Sequence, residues 1–95
     1  MQFFAILRRR TETFSDAEFS PHLEAEAERV RELYASGTLR AAFGREDVLG
    51  AVLMLECGDL AGAQAAIASL PLAQRDMIDA QVIPVRGYRG FGPRS

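Results

Sequence analysis

Leu70 to Pro93 reads LPLAQRDMIDAQVIPVRGYRGFGP, and it places a proline inside an apolar strand. A helix closes at Leu70-Pro71-Leu72, with Pro71 helping to end it. A strand follows over Met77 to Gly87 and carries Pro84 in its middle. A tail with three glycines and two aromatics comes last. Proline has no backbone donor, so within sheets it sits on edge strands or at bulges. Pro84 therefore marks an edge strand, or else the strand stops at Ile83.

The segments upstream supply the rest of a sheet. Gln2 to Arg9, QFFAILRR, has no breaker and reads as a strand. Ser15 with Glu18 three residues later has the form of a capping box, and Ser20-Pro21 has the form of a helix start. Both cannot begin one straight helix. The expectation is a short turn at 15–19 and a main helix from Pro21 to Ser36, with Gly37 just past its end. Thr38 to Asp47 alternates weakly and reads as a second strand. Val48 to Leu55 lies in the strongest strand of the chain. Asp59 caps a helix in which Leu60, Ala63, Ile67 and Leu70 share one face. The order strand, helix, strand, strand, helix, strand is the ferredoxin-like split unit, an α+β fold of one domain over residues 1–95 with a tail at 89–95. In that unit the first and third strands are central and the fourth is an edge, which is where Pro84 fits.

The two central strands are apolar on both faces. Phe3, Phe4, Ile6 and Leu7 in the first, and Val52 to Leu55 in the third, leave no polar set for water. A second copy of the chain covering the bare face is the economical solution, giving a dimeric α+β barrel. The alternative is a monomer whose chain ends fold back.

Composition narrows the classes of function. Hydrophobic residues make up 48% of 95, enough for a core without staples. A net charge of −2 with no basic stripe argues against nucleic acid. The longest apolar run falls far short of the roughly 20 residues a bilayer requires, so no membrane association is expected. The N-terminal arginines follow the apolar stretch, the reverse of a secretion signal. One cysteine, Cys57, points to a reducing, cytoplasmic setting. A single His and a single Cys argue against a metal site, and no phosphate-binding or dinucleotide-binding loop is present. No cofactor is expected.

The pattern GTLRAAFGRED, VLGAVLMLE and ASLPLAQRDMIDAQVIPVRGYRGF resembles the small dimeric α+β-barrel proteins, and among them the muconolactone isomerase-like group. YCII-related proteins and cofactor-free quinol monooxygenases are looser matches. The SLPL segment with the strand QVIPVRGY is the most specific part, and Gly44-Arg45 and the Tyr88–Phe91 tail also correspond. The chain lacks the longer tryptophan-containing stretch those isomerases carry after the first helix. The resemblance implies a pocket between sheet and helices, a homodimer or higher homo-oligomer, and cofactor-free isomerisation of a small hydrophobic lactone or ring compound. It also implies that Glu26 matches a glutamate of the isomerases.

Residue by residue, each functional reading has a plainer counterpart. With about 100° per residue, Leu23, Ala27, Val30 and Tyr34 mark the core face of the main helix, and Glu26 falls on its border. A border carboxylate beside an apolar pocket has a raised pKa and suits a general base. Its plain reading is a helix-edge glutamate paired with a neighbour such as Arg29. His22 either exchanges protons with Glu26 at i, i+4 spacing or is solvated in the first turn. Arg40 and Arg45 either bind substrate and stabilise an enolate-like charge or guard an edge strand. Tyr34 either binds a substrate carbonyl or packs with a wet hydroxyl. A non-catalytic ligand-binding or structural dimer of the same fold, and a monooxygenase or cyclase, remain alternatives.

Overall fold

Side-chain alternation on one central strand organises the molecule. Gln2–Arg9 forms β1, in which Phe3, Ala5 and Leu7 are buried while Phe4 and Ile6 are only half-buried. The structure is a computed structural model and describes residues 1–92; the last three residues of the expected tail lie outside the described residues. β1 pairs antiparallel with β3, Gly50–Glu56, and with β4, Ile78–Val85. β3 pairs in turn with β2, Leu39–Gly44, so the sheet runs β2-β3-β1-β4. β4 is an edge that continues through Pro84, which lies opposite Phe3. A missing donor is harmless on the outer side of such a strand.

Local chemistry sets the helices. Ser15 and Glu18 form the reciprocal capping box of a short helix α1, Asp16–Phe19. A single 3-10 turn with Pro21 then leads into α2, Leu23–Ala35. Gly37, with φ of 85°, lets the chain leave that helix. Asp59 accepts from the Gly62 amide at 2.8 Å and caps α3, Leu60–Ala68. Pro71 differs from expectation. It closes α3 but also occupies the first turn of α4, Pro71–Gln74, where its fixed φ and missing N–H suit a helix start.

The helices bury their apolar sides on one face of the sheet. Phe19, Leu33, Ile67, Leu70 and Leu72 join Phe3, Leu53 and Leu55 in one core. Each fully buried Leu or Phe contributes about 1.5–3 kcal/mol. Two expected core positions lie outside: Leu60 is 40% exposed and Tyr34 65% exposed. On α2 the buried residue is Leu33, so the apolar stripe runs through Leu23, Val30 and Leu33. The tyrosine keeps its hydroxyl in water while leucine loses nothing by burial, and the stripe turns accordingly.

The other sheet face is apolar and outside that core. Phe4, Ile6, Val52, Met54 and Ile83 share it by register, and none joins the core cluster. Phe43, opposite Val52 on β2, is 59% exposed. The ion pairs of Arg8 with Glu12 and Asp79 edge this face at one end of the sheet. Tyr88 and Phe91 in the tail also stand exposed.

Candidate functional site

The turned stripe of α2 carries Glu26 inward. Glu26 lies between Leu23 and Val30 on the side that faces the sheet, and its carboxylate is partly buried. It lines a cavity of about 110 Å³ at one end of the sheet. Leu7, Ala51 and Ile78 supply the sheet side, and Leu72 of α4 supplies the helix side. Gly50 completes the floor, and no side chain fits there: a Cβ at Gly50 would collide with the Leu7 carbonyl oxygen.

The Leu72 amide donates to Glu26 Oε1 at 3.0 Å. Burial in these apolar walls pushes the Glu26 pKa up, and this outweighs the opposing effects of the Leu72 amide and of the Arg9 charge. No ion pair of Glu26 forms among the described residues. Arg29 turns away instead, with Nε donating to Ser69 Oγ at 2.9 Å and Nη1 pairing with Glu32. The arrangement is a carboxylate that is a stronger base than one in water, held by one hydrogen bond and facing an apolar space.

The other candidates lie elsewhere. His22 lines a separate depression with Phe14, Glu18, Arg75 and Met77, although it precedes Glu26 by one turn. Tyr34 lines a broad, shallow groove beside β2 with Val30, Leu39 and Ala42. Arg40 is exposed at the β-bulge between Leu39 and Ala41. Arg45 is committed to Asp47 through Nε–Oδ1 at 2.9 Å and Nη2–Oδ2 at 2.6 Å, which fastens the β2–β3 turn. Among the described residues no group of three His, Cys, Asp or Glu side chains gathers as a metal site.

The residue missed from sequence is Arg9. It ends β1 on the helix side, opposite Ile78, and lines the same cavity as Glu26. Counting by twos from Phe3 through Ala5 and Leu7 places position 9 on the core face, and that count was the available signal.

No family model matches the chain, and no curated protein matches it by sequence. Solved structures do. Muconolactone isomerase superposes with a TM-score of 0.78 at 16% identity, covering 100% of this chain and 97% of that one. The 5-chloro-2-hydroxyhydroquinone dehydrochlorinase of Burkholderia phenoliruptrix AC1100, solved in complex with 2,5-dihydroxybenzoquinone, superposes with a TM-score of 0.73 at 14% identity, covering 95% and 98%. The chain thus has the muconolactone isomerase-like α+β fold over its whole length. No described helix is long and apolar enough to cross a membrane.

Proposed function

We propose that the protein is a cofactor-free enzyme that moves a proton on a small ring compound, with Glu26 as the base. The observation that carries this reading is the Glu26 carboxylate, desolvated and without an ion-pair partner among the described residues, in an apolar cavity. The two structural relatives are named for an isomerase and a dehydrochlorinase, and both names describe work on small ring compounds. Glu26 takes a proton from a carbon next to a conjugated carbonyl. The electron pair of that C–H bond passes into the conjugated system, and its charge rests on the carbonyl oxygen. The same carboxyl returns the proton to a carbon further along, so a double bond shifts and nothing is oxidised. A cavity of about 110 Å³ suits one small ring: an engineered cavity of about 150 Å³ holds benzene.

A homodimer in a cytoplasmic setting belongs to the same proposal. The apolar sheet face built on Phe4, Ile6, Val52, Met54 and Ile83 is larger than a lone soluble domain normally leaves in water. A second copy packed on it would close a barrel of two sheets.

The Leu72 hydrogen bond favours a second reading, in which Glu26 only pins α4 and the cavity is a packing void. Glu26→Gln separates the two. It keeps an acceptor for Leu72 and removes the base, so turnover is lost while fold and assembly persist. A Gln variant that still turns over substrate contradicts the proposed function.

A further inference from the structure

Three arginines in a row, Arg8 to Arg10, meet three different fates. Arg8 pairs with Glu12 and Asp79, and Arg10 pairs with Asp76. Arg9 between them forms no ion pair among the described residues, although it points to the helix side of the sheet. Its guanidinium instead sits 5.5 Å from the centroid of the buried Phe19 ring. Stacking of this kind fixes the plane of the guanidinium without using its N–H groups. Those donors are left to the cavity that Arg9 shares with Glu26.

We infer that Arg9 is the anion-binding residue of this cavity, and that its ligand is a small planar ring compound bearing a carboxylate. A planar fork of donors accepts two carboxylate oxygens at once, where a point charge would not fix orientation. Arg9 on β1 and Glu26 on α2 approach the space from different elements, so a ligand held at Arg9 presents its ring to Glu26. A second negative charge close to Glu26 is tolerable only because Arg9 neutralises it. The inference rests on the proposed function for what Glu26 does to the ring, but the binding role of Arg9 stands apart from it.

Two probes of nearly one shape test it, 2-furoate and the uncharged 2-furamide. Each is titrated into the isotopically labelled protein at neutral pH, with the Leu72 and Ala51 amide signals as reporters. The expected result is that furoate shifts both signals and binds at least about tenfold more tightly than furamide, the worth of one charge-assisted hydrogen bond. Arg9→Gln removes that preference, whereas Glu26→Gln keeps or strengthens it. Arg9→Lys retains a weakened preference, and this covers the case in which loss of the Phe19 stack unfolds Arg9→Gln. Equal binding of the two probes, no binding of either, or an undiminished preference in a folded Arg9→Gln protein overturns the assignment. Loss of anion preference with proton transfer intact sinks the Arg9 role alone. A retained preference in a protein whose Glu26→Gln variant still turns over substrate sinks the proposed function alone.

Discussion

The Leu72 amide donates to the Glu26 carboxylate across 3.0 Å, between residues 46 positions apart in the chain. Leu72 lies in the first turn of α4, whose cap residue Leu70 offers no side-chain acceptor. Glu26 therefore serves as a cap supplied from α2, which ties the short helix to the long one. The same contact holds the carboxylate in the cavity, so the residue proposed for chemistry is also a small structural part.

That double duty predicts different costs for two substitutions. Glu26→Ala leaves the Leu72 amide without its acceptor and should destabilise the fold by about 1 kcal/mol. Glu26→Gln keeps an acceptor and should stay within about 0.5 kcal/mol of the parent near neutral pH. Urea unfolding of the three proteins measures the difference.

The raised Glu26 pKa gives a pH dependence of definite sign. Between the ordinary carboxylate value and the raised folded value, the folded state binds more protons than the unfolded state. The contribution of Glu26 to stability is fully present below the ordinary value and is lost as pH rises through the folded one. Glu26→Gln has no such slope. Plotted against pH, the stability of Glu26→Gln relative to the parent should rise through this window, and a flat difference would show that the carboxyl is not desolvated.

Gly50 should resist even the smallest side chain. A methyl group there meets the backbone of Leu7 and Arg8, neither of which can rotate aside. Gly50→Ala should cost about 1–3 kcal/mol, the usual penalty of overpacking, and should deform the cavity floor. Thermal unfolding together with furoate titration reads both effects.

Charge on the open sheet face should separate a dimer into folded monomers. Val52 lies opposite Ile6 and Phe43 on that face. Val52→Glu should leave the circular dichroism spectrum intact and halve the mass seen by sedimentation. A parent protein that already sediments as one subunit at micromolar concentration removes the dimer from the proposal.

Much of the fold was legible because its signals are local. Pro84 on an edge strand, the Ser15–Glu18 box and the Asp59 cap each follow from the backbone chemistry of one residue type. Glu26 was legible only as a border residue. Whether Leu33 or Tyr34 of α2 goes inside depends on packing against the sheet, which a helical period alone does not specify. Pro71 was read as a stop when it is equally a start, because the same fixed φ serves both. Arg9 was hidden by its neighbours: a run of three arginines looks like a solvated strand end, and only strand parity separates the middle one.

Hydrogen exchange at carbon tests the central claim most directly, because it needs no knowledge of the natural substrate. The protein is incubated in D2O with a set of unsaturated five-membered lactone acids, and mass spectrometry follows deuterium entering the ring carbons. The expected result is catalysed uptake with the parent protein, and uptake at the uncatalysed rate with a folded Glu26→Gln variant. Equal catalysed uptake by both proteins would contradict the assignment of Glu26 as the base.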